Sequence, residues 1–236
     1  MSTIPSRVEN IKDILDNINN QTLKPNKIFL NIPYKYKRFS NQIINDEDLK
    51  KIKIENLIIR RCEDYGPGTK IMGSINEIRN FDCVILLDDD HLYDKNICEL
   101  FLNEFQKQQI NYSFYLNKIF NIKMGQCADG FLMNTKLLDK IESFYAKYVK
   151  NNKNMFLDDD LWLAIYLQKE KKSSIKNLIY MYREKFGKHV VYTQNSNSKK
   201  DGLHLTAHKD GLFLNRRKIQ KIEYIKYLIK SIFIKI

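Results

Sequence analysis

Four apolar residues, Val84 to Leu87, run without a break into Asp88, Asp89 and Asp90. A run this short and apolar reads as a buried strand, and its end carries three adjacent carboxylates. The segments before it set the fold class. "STIP" reads as a short strand, and Val8, Ile11, Ile14, Leu15 and Ile18 follow at helical spacing. "KIFLNIP" is a strand that Pro33 ends, "IENLIIRRC" is another, and "KIMGSINEIRN" is a helix leading into "CVILLDDD". Strands that alternate with helices predict an α/β fold with a mostly parallel, right-handed central sheet, whose ligands sit beyond the carboxyl ends of the strands. Asp88, Asp89 and Asp90 fall at such an end.

The second half is more mixed. "KNICELFLNEFQKQ" reads as a helix and residues 111–134 as one or two strands with a turn near Gly125. "TKLLDKIESFYAKYVKN" and "DDDLWLAIYLQKE" read as helices, and "NLIYMYR" as a strand. A polar loop from Asn195 to Gly202 precedes a terminal amphipathic helix whose Ile222, Ile225, Leu228, Ile229, Ile232, Phe233 and Ile236 form a stripe with lysines on the remaining face. That helix has two uses: packing its stripe on the sheet, or lying on an anionic bilayer. With no repeat and no Pro- or Gly-rich linker, the expected organisation is one domain over 1–236. It divides into a nucleotide-binding half (1–110), an acceptor and catalytic half (111–215) and the helix (216–236).

Composition narrows the partners without choosing one. Forty basic against twenty-eight acidic residues leave a net charge of +12, which suits nucleic acid, anionic membrane or phosphate-bearing molecules. Cys62, Cys83, Cys98 and Cys127 lack zinc-site spacing and read as reduced, mostly buried thiols. The start carries no signal-like segment and no run approaches a membrane span, so the expected location is cytoplasmic, with membrane association through the last helix.

Three ionised carboxylates at close range repel by roughly 1 to 4 kcal/mol per pair unless a cation sits among them. Oxygen ligands at a strand end suit Mn2+ or Mg2+, which keep positions open for phosphates and water. The alternative is a solvated loop whose acids cap the helix starting near Asp94.

With these acids in place, the chain resembles the GT-A class of nucleotide-sugar glycosyltransferases, in which a D-x-D element ends a strand. Asp88-Asp89-Asp90 fits that element. "TIPSR" at Thr3 to Arg7 and "EDYGPGTK" at Glu63 to Lys70 look like a small group of viral and bacterial transferases of the class, and the likeness covers about 160 residues. It implies a nucleotide-sugar donor, UDP-sugar by preference, with Asp64 and Lys70 lining the nucleotide pocket. Asp88 would touch the ribose, Asp89 would be in donor contact, and Asp90, with Asp88, would hold the metal.

Each element also has a physical reading of its own. Pro5, Ser6 and Arg7 offer a hydroxyl, free amides and a guanidinium to a base and phosphates, or else a helix start capped by Ser6. Gly66 and Gly68 let the backbone approach a ligand, or else form an ordinary turn before Thr69 and Lys70 open a helix.

Asp158, Asp159 and Asp160 repeat the acidic theme before a helix. Asp158 reads as an N-cap, with Asp159 and Asp160 either complementing the helix dipole or presenting a general base to an acceptor hydroxyl. In inverting members of the class an acidic pair plays the latter role, and by that likeness Asp160 is the base, with Asp159 second. "GQCADGFLMN" resembles the segment under the donor sugar, which would place Asp129 and Gly130 near its hydroxyls. An Asp-Gly turn explains the same residues. His204 is the candidate for a late metal ligand.

The leading expectation is therefore a metal-dependent transferase moving a sugar to a glycan, lipid-linked or protein acceptor, with no nucleic-acid partner. Two alternatives stay open: a two-metal nucleotidyl or phosphoryl transferase, or a nucleic-acid or membrane-surface binding module whose acids are only caps.

Overall fold

The computed structural model describes residues 1–195 and 215–233, apart from the side chain of Phe233. The chain folds as an α/β structure with helices on both faces of its strands. Strand β1 (Ile28–Pro33) pairs in parallel with β2 (Leu57–Cys62), from Ile28 opposite Leu57 to Pro33 opposite Cys62. Its period-2 alternation sorts the two layers. Ile28, Leu30 and Ile32 pack with the apolar face of α1 (Ile11–Asn19), whose Ile11, Ile14, Leu15 and Ile18 are all buried, whereas Phe29 points to the opposite cluster. "STIP" contributes less than a strand: Ser2 forms one isolated parallel bridge to Asn31, and a 3-10 turn (Pro5–Asn10) leads into α1.

The remaining strands do not extend this pair into the expected mostly parallel central sheet. Strand β3 (Cys83–Leu86) lies in a four-stranded sheet with β5 (Asn111–Ser113), β8 (Phe131–Asn134) and β9 (Ile175–Asn177), in the order β3-β8-β5-β9. The β3/β8 and β8/β5 pairs are antiparallel and only β5/β9 is parallel. The reason lies in the connection: β5 reaches β8 through a hairpin, β6 (Leu116–Ile119) and β7 (Ile122–Gly125), with no crossover helix to return the chain in the parallel sense. That hairpin turns at Phe120 and Asn121, with Phe120 at φ 49°, rather than near Gly125. A further pair, β4 (His91–Tyr93) with β10 (Tyr192–Gln194), is antiparallel and lies just past the acids of β3.

The helices also depart from the sequence expectation in places. After α2 (Asp46–Lys50), the segment "KIMGSINEIRN" splits at Gly73 and Ser74 into α3 (Thr69–Met72) and α4 (Ile75–Ile78). Helix α5 (Ile97–Lys107) stands as expected. Helix α6 (Ile141–Phe144) runs into a π-turn before α7 (Lys153–Phe156) and α8 (Asp159–Ile165). "NLIYMYR" is helical, α9 (Ile179–Phe186): Leu178, Ile179 and Tyr182 bury at i, i+1 and i+4, a helical pattern that its β-favouring residues obscure. The last described element is α10 (Arg216–Phe233). Cys62, Cys83, Cys98 and Cys127 are free thiols, and burial pushes the Cys62 thiol up to about 12.

One side chain ties the first sheet to the helix layer that carries the site. Asn31 is fully buried in β1, and its Nδ2 donates to the carbonyls of Thr69 (3.1 Å) and Lys70 (3.2 Å) at the start of α3. Asn31→Ala leaves those contacts unmade and is expected to cost about 1–3 kcal/mol in urea denaturation. Tyr180→Ala, at a position 73 % exposed, is expected to stay within about 0.5 kcal/mol of the parent.

Candidate active site

The three carboxylates that leave β3 each find a different partner. Asp88 pairs with the ammonium of Lys70. Asp89 is buried, accepting from Arg7 and from Thr3 Oγ1 at 2.7 Å. Asp90 lies 3.1 Å from Arg7 Nη1 and 2.7 Å from His91 Nδ1. Burial raises the Asp89 carboxyl more than Arg7 lowers it, whereas burial of Asp90 is outweighed by His91 and Arg7, which hold it below the usual range. Arg7 thus serves the acids directly. Ser6 is exposed and makes no capping bond, and Pro5 only opens the 3-10 turn.

Lys70 joins this cluster to the second one. Its ammonium is buried, contacts Asp88, and lies 3.0 Å from Asp159 Oδ2. Burial alone would depress an ammonium; Asp159 and then Asp88 reverse that, so its net shift is well upward and it stays charged. The glycines before it make the approach possible. Gly66 has φ 62°, and a Cβ there would fall 2.5 Å from the Phe156 carbonyl oxygen; a Cβ on Gly68 would fall 2.7 Å from the Trp162 ring. Their bareness serves packing against α7 and α8 rather than a ligand. Asp64 holds the same loop, accepting from the amides of Gly66 (2.8 Å) and Lys37 (2.7 Å).

At the start of α8, Asp158 is an N-cap, accepting from the Leu161 amide at 3.2 Å. It also accepts from Arg216 Nη2 (3.1 Å) and Nε (3.2 Å) and from Gln220 Nε2 (2.7 Å), all on α10. Asp160 accepts from the Cys127 amide at 3.0 Å and lies 3.5 Å from Arg216 Nη2. Burial, then Asp159 and Asp158, push its carboxyl up to about 8, against the pull of Lys70 and Arg216. The 3-10 turn Cys127–Asp129 brings Asp129 to the same region, with Gly130 at φ 95°. Burial raises the Asp129 carboxyl to about 6, offset in part by His91 and by a hydrogen bond from the Tyr192 hydroxyl. His204 lies outside the described residues.

Among the described residues, six carboxylates, Asp88 to Asp90 and Asp158 to Asp160, meet three permanent cations, Lys70, Arg7 and Arg216. Burial raises the Asp89 carboxyl, and burial followed by Asp159 and Asp158 raises that of Asp160. Hard oxygen donors of this kind fit Mn2+ or Mg2+. Of the strand-end acids, Asp88 is the most open, its side chain 29 % exposed against 13 % for Asp90 and 9 % for Asp89. Cys127, Asp159 and Asp160 also bring ligand atoms within 4.8 Å of one another, with the Lys70 ammonium against Asp159 as it is against Asp88.

Sequence reasoning missed His91, Tyr192, Arg216 and Gln220. His91 adjoins Asp90 in the chain, and neighbours on an extended backbone point to opposite sides, so adjacency carried no signal. The Arg216–Asp158 pair spans 58 positions and is visible only once α10 is placed. No protein-family model matches the chain, and no curated protein matches it.

Lys70→Met strands Asp88 and Asp159 without their shared cation. The expected loss is about 3–5 kcal/mol in urea denaturation at neutral pH. Adding Asp159→Asn to that variant should recover part of the loss, because the two changes act on one ion pair.

Proposed function

We propose that this chain is a glycosyltransferase built on a single GT-A domain, moving a sugar from a nucleoside diphosphate sugar, UDP-sugar by preference, to an acceptor hydroxyl. The observation that supports it most is the Lys70 ammonium held between Asp88 at the strand end and Asp159 at the start of α8, which makes one site of two acid clusters. Donor-binding acids and a catalytic acid must converge in this way for transfer to proceed within one bound complex. The mixed sheet is compatible with this reading, since the acids still sit beyond the carboxyl end of β3.

Asp88 and Asp90 would hold a divalent ion, and such an ion, once bound, neutralises charge on the diphosphate. Lys70 lies against Asp88 and offers a second positive charge to the leaving diphosphate. Asp160 is the general base, and inversion at the anomeric carbon is the stereochemistry this implies. Its carboxyl is held high by burial beside Asp159 and Asp158, which makes its ionised form a stronger base than an ordinary aspartate. The Cys127 amide orients it, and Arg216 stands on its other side. Asp129, with Gly130, would meet sugar hydroxyls. The acceptor is a glycan, a lipid-linked sugar or a protein.

The sign of the pH dependence follows from Asp160. Its folded-state pKa of about 8 lies above the ordinary aspartate value, so the base is protonated below that pH and activity must rise as pH increases toward it. In the free enzyme, kcat/KM for UDP-sugar turnover is expected to climb about tenfold per pH unit between roughly 6 and 7 and to level off above about 8. Asp160→Asn is expected to lower kcat by about 100- to 10,000-fold, with UDP-dependent thermal stabilisation retained. Asp90→Ala is expected to remove the manganese-dependent part of that stabilisation. If UDP, UDP-sugars and manganese give neither stabilisation nor UDP release, the proposal fails.

A further inference from the structure

The terminal helix α10 is amphipathic in the opposite sense from a helix packed on its own core. Its inward face is polar or aromatic and pinned by hydrogen bonds. Gln220 donates to Asp158, and Glu223 accepts from Asn152 Nδ2 (2.6 Å) and Asn154 Nδ2 (2.9 Å). Tyr224 Oη donates to Asn121 Oδ1 and Tyr227 Oη to Glu170 Oε1, each at 2.7 Å. Gln220, Glu223, Tyr224 and Tyr227 are all buried. These bonds set the rotation of the helix about its axis. The apolar row consequently faces outward: Ile222, Ile225, Leu228, Ile229 and Ile232 are 41, 45, 37, 50 and 62 % exposed. Turning them inward would break every one of those contacts.

A second exposed apolar residue stands beside α10. Phe120, at the tip of the β6–β7 hairpin, is exposed, and its ring lies 6.1 Å from that of Tyr224. Lysines stand on either side of the row. Helical spacing puts Lys221 on one flank, where its ammonium lies 5.8 Å from the Phe120 ring centroid, and Lys226 on the other, where it pairs with Glu223 at 2.9 Å, with Lys218 toward the N-terminal end; Lys230 turns inward and donates to the Lys147 carbonyl at 2.7 Å. An exposed row of isoleucines between lysines matches a surface whose interior is apolar and whose outer layer is anionic, which describes a bilayer containing acidic lipids. Among the described residues no helix is long and apolar enough to cross a membrane, so the fit is to lying on one.

We propose that α10 and the β6–β7 hairpin dock this protein on an anionic membrane surface, with Ile222, Ile225, Ile229, Ile232 and Phe120 entering the acyl boundary and Lys218, Lys221 and Lys226 at the headgroups. The proposal rests on the exposed face of α10 and holds whatever reaction the acid site performs.

Vesicle flotation tests it, with phosphatidylcholine alone and with about 30 % phosphatidylserine added. The whole chain is expected to float with the anionic vesicles, to stay behind with the neutral ones, and to be released as salt rises. The double variant Ile225→Asn and Ile229→Asn changes two exposed side chains, so its melting temperature should match the parent while its affinity for anionic vesicles falls at least about tenfold. No flotation at low salt overturns the proposal. So does flotation that the double variant leaves unchanged, since that is adsorption by overall charge. A dimer in light scattering that the double variant dissolves, without vesicle binding by the parent, assigns the face to a second copy instead and also overturns it.

Discussion

A buried ammonium is the interaction from which the rest of this site follows. Lys70 has lost its water, a penalty of several kcal/mol that only closely placed carboxylates can offset. Asp88 and Asp159 do so from two different parts of the chain, one at a strand end and one in the first turn of a helix. For them to meet, α3 must sit where Asn31 holds it and the loop before it must press against Trp162, which bare Gly68 permits. Strand, loop and helix are thus positioned by the need to keep one charge neutralised.

The same charge balance explains why the neighbouring acids differ from one another. Asp90, beside His91 and Arg7, is held ionised, whereas Asp160, beside two other carboxylates and with Arg216 no closer than 3.5 Å, is pushed upward. Asp158 takes Arg216 more closely and is further occupied by the Leu161 amide and Gln220, which makes it a structural cap. Environments that push like groups apart assign them different tasks: one carboxylate suited to holding a cation, another to accepting a proton.

How far this was legible in the sequence depended on whether the information was local. The acids at a strand end, the buried face of α1 and the N-cap at Asp158 could all be read from spacing, because each depends on residues within one or two turns. Sheet direction could not: β8 is antiparallel because a hairpin rather than a helix precedes it, and the hairpin hides within a continuous β-favouring stretch. The β-favouring residues of "NLIYMYR" likewise masked a helix whose pattern emerges only from what it buries. The acid triplet prompted an argument for a metal as the cure for repulsion. Arg7 and Lys70, 82 and 18 positions away from their partners, already supply much of that cure, and no local pattern announced it.

The terminal helix carries the same lesson into function. Its apolar stripe was plain in the sequence, but a stripe does not say which way it faces. That was decided by the other side of the helix, where Gln220 and Arg216 reach Asp158, and where Glu223, Tyr224 and Tyr227 each find a buried polar partner. These contacts bring the polar and aromatic face inward, where Arg216 and Gln220 meet the start of α8 and Tyr224 and Tyr227 pack with the core cluster. One element therefore has two duties. Its first turn clamps the acid that caps α8 and borders Asp160, and its outer face presents isoleucines and lysines to the surroundings. A surface that engages the outer face meets a helix already bonded to Asp158 and Asp160, and the acid cluster is held at a fixed orientation to whatever α10 rests upon.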